Sequence, residues 1–136
     1  MEKKFTVLIA DDSLLVRHML KTLIAEIKNA ELAGEAAGGD QAIALALELS
    51  PDIILMDINM SPVNGFEATS AILKKDPAAK IIALSLHTQP AYAKKMFELG
   101  GKGYVTKTAP HTDIIEAIHT VISGGRFIDK GLRDKL

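Results

Sequence analysis

Residues 53–57 read Ile53-Ile54-Leu55-Met56-Asp57, four apolar side chains running without interruption into a carboxylate. A strand with one face in water alternates apolar and polar residues. This one does not, so it belongs inside a sheet covered on both faces. The form repeats on either side of it. Phe5-Thr6-Val7-Leu8-Ile9-Ala10 closes on Asp11-Asp12, and Ile81-Ile82-Ala83-Leu84 closes on Ser85. Tyr104-Val105-Thr106 is shorter and is followed by Lys107. Glu31 to Ala37 is a weaker strand candidate, placed mainly by its position.

Longer amphipathic stretches separate these runs. Leu15, Val16, Met19, Leu20, Leu23, Ile24 and Ile27 recur at helical spacing from Leu14 onward. Gly38-Gly39-Asp40 opens an Ala/Leu-rich helix through Leu49, with Pro51 beyond its end. Ser61-Pro62-Val63-Asn64-Gly65 leads into a helix that Asp76-Pro77 terminates after Lys75. Pro90 suits the first turn of a helix reaching Leu99 and stopping at Gly100-Gly101. A last helix from about Pro110 carries Ile114, Ile115, Ile118, Val121 and Ile122, and ends at Gly124-Gly125. Five strands, each followed by a helix, define an α/β fold: a mainly parallel five-stranded sheet, helices on both faces, right-handed crossovers. Residues 1–125 form the expected domain, and 126–136 are read as a C-terminal tail or the start of a linker.

Composition agrees with one domain. The 136 residues leave little room for a second core, and 48% apolar with 4% aromatic content means an aliphatic interior. Sixteen basic against seventeen acidic residues give a formal charge of −1. That balance argues against nonspecific attraction to nucleic acid or anionic membranes. With no Cys, disulfides and thiolate zinc sites are excluded. The first apolar segment is too short for a signal peptide, and no run approaches the ~20 residues needed to cross a bilayer. A cytoplasmic, membrane-free location is the expectation.

In an open parallel sheet, ligands bind outside the carboxyl ends of the strands. Asp11, Asp12, Asp57, Ser85 and Lys107 all fall there. Any one of them alone reads as a cap, a turn or a solvated residue; together they converge on one edge. Three neighbouring carboxylates repel unless a cation neutralises them, and oxygen-only ligation suits Mg²⁺. Such an ion can bridge a carboxylate and a phosphoryl group. The carboxylate is then a nucleophile forming an acyl phosphate, with lysine and serine as phosphoryl contacts.

These residues, in this order and spacing, resemble the receiver domain of bacterial two-component response regulators, over roughly Lys4 to Gly124. The resemblance implies a doubly wound, flavodoxin-like (βα)₅ fold with strand order 2-1-3-4-5. It implies Asp57 as phosphoacceptor, Asp11 and Asp12 with the Asn59 backbone carbonyl around Mg²⁺, and Ser85 and Lys107 on the phosphoryl oxygens. Tyr104 matches the aromatic switch position that turns inward with Ser85, so that a surface of helix four, strand five and helix five changes affinity. The implied partners are a sensor histidine kinase or phosphotransfer protein and, after phosphorylation, a second copy. Enzymatic work is limited to the domain's own phosphorylation and dephosphorylation. Leu84-Ser85-Leu86-His87, Gly103 to Lys107 with Ala109-Pro110, and Gly124 to Ile128 look like the LuxR-type, DNA-binding branch. DNA would be reached only through a helix-turn-helix output domain absent from this chain. The chain is read as the N-terminal part of a longer DNA-binding transcriptional regulator, with a natural single-domain receiver as the alternative.

Three positions depart from the family pattern. Ser61 intervenes before Pro62, Leu86 stands where Ala or Gly is common and would restrict access to Asp57, and Thr108 replaces a proline. His87 with Asn59 is a candidate pair for tuning the attacking water and the phosphoryl lifetime. His18, His111 and His119 read as surface residues, and the internal methionines as gap-fillers. Two rivals share the chemistry: a small phosphohydrolase with an aspartyl-phosphate intermediate, and a binding-only pseudo-receiver. The first would carry a D-x-D nucleophile motif after its first strand, which Asp11-Asp12-Ser13 lacks.

Overall fold

The computed structural model describes residues 3–135. Its strands are β1 (Phe5–Ala10), β2 (Ala30–Ala36), β3 (Ile53–Asp57), β4 (Ile81–Ser85), β5 (Gly103–Thr106) and β6 (Phe127–Ile128). Between and after them come α1 (Leu14–Ala25), α2 (Gly39–Leu49), α3 (Gly65–Lys75), α4 (Pro90–Glu98), α5 (His111–Ile122) and α6 (Lys130–Arg133). All strand pairs are parallel, in the order β2-β1-β3-β4-β5-β6. The expected order 2-1-3-4-5 is present, with one short strand added at its edge.

The uninterrupted apolar runs are explained by the pleat, which sends successive side chains to opposite faces. Val7, Ile9, Ile53, Leu55, Ile82, Leu84 and Val105 pack with Leu20, Leu23 and Ile24 of α1 and Ile114, Ile118 and Val121 of α5. Leu8, Ala10, Ile54, Met56, Ile81, Ala83 and Tyr104 join the opposite layer with α2, α3 and α4. The central strands β3 and β4 are therefore apolar at nearly every step because each face meets helices, while the edge strand β2, with Glu31 and Glu35, is not.

Local chemistry sets where helices begin. Ser13 Oγ accepts from Val16 N at 3.2 Å and caps α1. Asn64 and Glu67 close a reciprocal capping box on α3, with bonds of 2.8 and 3.1 Å. The Ser61–Pro62 bond is cis. Past that bond the loop returns to the sheet, where Gly65 N donates to Ile58 O at 2.9 Å.

The expected boundary at Gly125 needs correction. Residues 126–133 are not a free tail: Phe127 and Ile128 pair with Gly103 and Tyr104, and Leu132 of α6 is buried in the core. Asp129, 2% exposed, accepts from Thr106 N at 2.6 Å and, through its other oxygen, from Leu132 N at 2.9 Å. A two-residue strand lies below the length at which periodicity is readable, and Gly124-Gly125 reads as a terminator although it is a turn (Gly124 φ 98°). Asp129→Ala would leave the buried Thr106 N–H without its acceptor and uncap α6. Its expected cost is about 2 kcal/mol, to be read from the midpoint of urea unfolding.

Candidate functional site

The carboxyl ends of β1, β3, β4 and β5 meet in one cluster. Asp11 leaves β1 with its N–H on Ala36 O of β2 at 3.0 Å, and its Oδ1 accepts from Ser13 N at 2.8 Å. Asp12 beside it is exposed. Asp57 ends β3 at 1% exposure, and Ser85 ends β4 fully buried. Lys107 follows β5 with its N–H on Ser85 O at 2.7 Å. Its ammonium lies 2.8 Å from Asp11 Oδ2 and 3.2 Å from Asp57 Oδ1. All the acidic and basic residues expected here are thus brought together.

The carboxylates of Asp11, Asp12 and Asp57 each place an oxygen within 4.8 Å of the others. Burial, then the charge of Asp11, push the Asp57 carboxyl above its ordinary range, against the pull of Lys107 and the Asn59 N–H. Burial works to lower the Lys107 ammonium, but its close contact with Asp11 and the charges of Asp57 and Asp11 lift it above its usual value. Lysine is therefore firmly protonated. Asp11 Oδ2 is buried and has only the charge contact with Lys107, not a well-aligned hydrogen bond. A hard divalent cation fits this all-oxygen, underneutralised set, and Asp11, Asp12 and Asp57 are the side chains that would hold it.

Asp57 is asymmetric. Asn59 N donates to Oδ1 at 3.1 Å and Lys107 contacts the same oxygen, so among the described residues Oδ2 carries no hydrogen bond. Behind it, Gly65 has no alternative. A Cβ there would lie 2.3 Å from the Asp57 carbonyl oxygen, a clash with backbone that cannot yield. Gly65 was visible in the sequence only as part of a turn.

His87 ties the rim together. Its N–H donates to Ser85 Oγ at 3.0 Å, its carbonyl accepts from Tyr104 OH at 2.8 Å, and its Nε2 lies 3.1 Å from Asn59 Oδ1. Its ring stacks on Tyr92 at 4.1 Å between centroids. Tyr104 is fully buried, in the inward arrangement; burial raises its phenol while the nearby Ser85 hydroxyl works against that. Leu86, 62% exposed, is not packed into the core. His18, His111 and His119 are exposed and stand apart from the cluster. Arg17, which the sequence reading passed over, donates to Asp11 O at 2.7 Å and to Glu35 Oε1 at 2.9 Å.

A doubly wound parallel sheet with acids and a lysine gathered at its carboxyl edge places the site where folds of this class bind ligands. The profile of the response regulator receiver domain matches residues 7–119. The chain is 32% identical over 130 residues to the response regulator GacA of Pseudomonas syringae pv. syringae (strain B728a), covering 96% of this chain and 61% of that protein. It is 35% identical over 127 residues to the transcriptional regulatory protein DegU of Brevibacillus brevis, covering 93% and 54% respectively. Among solved structures, a LuxR-family two-component response regulator from Aurantimonas sp. SI85-9A1 superposes with a TM-score of 0.94 at 32% identity, over 97% of this chain and 94% of that one. The response regulator domain of Thermotoga maritima CheB gives 0.84 at 30%, over 89% and 98%. The chain belongs to the response regulator receiver domain family. It spans between 54% and 61% of the length of these two curated relatives. Among the described residues, no helix is long and apolar enough to cross a membrane.

The raised Asp57 carboxyl has a measurable consequence. Between the ordinary carboxylate value of 3.8 and its higher folded value, the folded state keeps a proton that the unfolded chain releases. Stability therefore falls as pH rises through that window, and the loss persists at neutral pH. Asp57→Asn should melt about 3 °C higher at pH 7, the change that ~1 kcal/mol makes in a domain of this size. The gap should close as pH drops below 4 in a series of thermal melts.

Proposed function

We propose that this domain accepts a phosphoryl group on Asp57 and thereby switches the surface of α4, β5 and α5. The observation that carries the reading is the single ammonium of Lys107 between two buried carboxylates, 2.8 Å from Asp11 and 3.2 Å from Asp57. A buried cation shared in this way is positioned to follow a phosphoryl oxygen once Asp57 gains one. The donor is a histidine kinase, a phosphotransfer protein or a small acyl phosphate.

Asp57 Oδ2, unencumbered by hydrogen bonds, attacks phosphorus. The new bond is O–P, and the bond from phosphorus to the donor's nitrogen or oxygen breaks, its electron pair leaving with the donor. Asp11, Asp12, Asp57 and the Asn59 backbone carbonyl would hold Mg²⁺, which when bound would supply countercharge to the phosphoryl group. Lys107 contributes a second, fixed positive charge, and Ser85 turns its hydroxyl proton to a phosphoryl oxygen. Asn59 and His87 govern the approach of hydrolytic water, and Leu86 narrows access at the rim. The domain does nothing enzymatic beyond its own phosphorylation and dephosphorylation.

The output reading rests on the β5 edge. Asp129 N donates to Tyr104 O at 3.2 Å, so β6 and α6 are fastened to the strand that carries the switch residue. Phosphorylation would then alter affinity for a second copy or for an output domain following α6, and DNA would be bound only by that domain. The relatives named as regulators, and the LuxR-family structure, support this reading, as does the absence of a basic excess in the receiver itself. A cytoplasmic setting follows from the proposed donors.

Incubation with acetyl phosphate, followed by intact-mass measurement, tests the acceptor. One Mg²⁺-dependent, base-labile phosphoryl adduct is expected, absent from Asp57→Asn; an undiminished adduct in that variant would sink the assignment. Steady hydrolysis of an added phosphate ester would favour the phosphohydrolase instead. In His87→Ala the released Asn59 side chain should shorten the adduct's lifetime while leaving its site unchanged, as followed by decay of the same mass peak. An unaltered lifetime would remove His87 from the tuning pair.

A further inference from the structure

The turn after β1 carries two adjacent aspartates of the acidic cluster, and something must fix the direction of their backbone. Asp11 N is held by Ala36 O at 3.0 Å. Asp11 O is held by Arg17 Nη1 at 2.7 Å, from the second turn of α1. The same guanidinium donates Nε–H to Glu35 Oε1 at 2.9 Å, and Lys21 Nζ takes Glu35 Oε2 at 2.9 Å. Arg17 is 13% exposed at its side chain, so it is packed in place rather than ranging through solvent. Glu35 and Ala36 are consecutive on β2, in register with Ile9 and Ala10 of β1. Both polar groups of the Asp11 backbone are therefore tied to one β2 dipeptide, directly and through Arg17.

We infer that Arg17 is a positioning residue for divalent cation binding: its fork between Asp11 O and Glu35 fixes the turn that presents Asp11 and Asp12. This rests on the reading of the acidic cluster as a Mg²⁺ site. Glu35 has two jobs in the arrangement. It orients the guanidinium, and it offsets a positive charge that would otherwise oppose a cation at the acidic cluster. Lys21 and Arg17 in turn hold the Glu35 carboxyl below its ordinary range, so it stays ionised.

Positioning and simple charge predict opposite signs. If Arg17 acted only through its charge, removing it would tighten Mg²⁺ binding, since a like charge would be gone. A positioning role makes the same removal weaken binding, by about tenfold or more on the scale of lost outer-layer support. Lysine keeps the charge but lacks a planar fork that can span both acceptors.

The test is calorimetric titration of MgCl₂ into the wild-type chain, Arg17→Met and Arg17→Lys, with a thermal melt of each and the Mg²⁺ dependence of acetyl phosphate labelling. Weaker binding in both variants is expected, with a higher half-saturating Mg²⁺ concentration for labelling and an unchanged rate at saturation. Tighter binding in Arg17→Met, or wild-type affinity in Arg17→Lys, would overturn the positioning role. A saturating rate that falls while half-saturation stays fixed would also overturn it. Failure of the wild-type chain to bind Mg²⁺ would instead overturn the reading of the site itself.

Discussion

Three carboxylates crowded at the end of a parallel sheet are the constraint on which the rest of this molecule turns. Two of them, Asp11 and Asp57, are almost wholly buried, where their mutual repulsion is least screened. Lys107 offsets part of it at 2.8 and 3.2 Å. The remainder is a standing instability that a bound divalent cation would relieve, and the same concentration of charge suits the phosphoryl chemistry proposed for Asp57. The surrounding structure contains it. β1 and β3 are adjacent and covered on both faces, Gly65 lets a loop close directly behind Asp57, and Arg17 anchors the turn bearing Asp11.

What could be read from the sequence follows from where its signals are local. β1, β3 and β4 were visible because burial on both faces keeps them almost continuously apolar. β2, with Glu31 and Glu35 in it, was placed mainly by its position, and the strand order came with the family resemblance. Asp11, Asp12, Asp57, Ser85 and Lys107 were visible because each sits at a strand's carboxyl end, a place defined within a few residues. Arg17 was not. Its partners are a main-chain carbonyl six residues back and a β2 carboxylate eighteen residues on, and from the sequence it is a basic residue on an amphipathic helix. Asp129 was hidden for a related reason. Its function depends on Thr106, twenty-three residues earlier, and β6 is too short to announce itself.

His87 shows a further limit. The sequence places it two residues beyond Ser85 and offers it, with Asn59, as a tuning pair, but shows none of its backbone contacts. In the structure it engages Ser85 through its N–H, Tyr104 through its carbonyl, Asn59 through its imidazole edge and Tyr92 through its imidazole face. Two of those four contacts are made by the backbone, and a side-chain motif carries no record of them. The β4–α4 segment is thus pinned at a residue that is neither acceptor nor metal ligand.

The energetics of switching require such pinning. Reversing a two-state population from about 1:99 to 99:1 takes ~5.5 kcal/mol. A single neutral hydrogen bond contributes ~1 kcal/mol net, so reorientation of the Ser85 hydroxyl alone falls well short. The phosphoryl group proposed for Asp57 would bring up to two negative charges, within reach of Lys107 and Ser85. That interaction becomes useful output only if Ser85 cannot move independently of its neighbours. Here it cannot: Ser85 is bonded to His87 N, His87 O to the Tyr104 phenol, and Tyr104 O to Asp129 N. The chain of contacts runs from the phosphorylation pocket through the buried tyrosine to the segment that caps α6. A packed core of this kind tends to occupy discrete arrangements rather than deform continuously. Movement at Ser85 would therefore be passed to the β5 edge as a change of state, and the edge it reaches is already occupied by the protein's own β6 and α6.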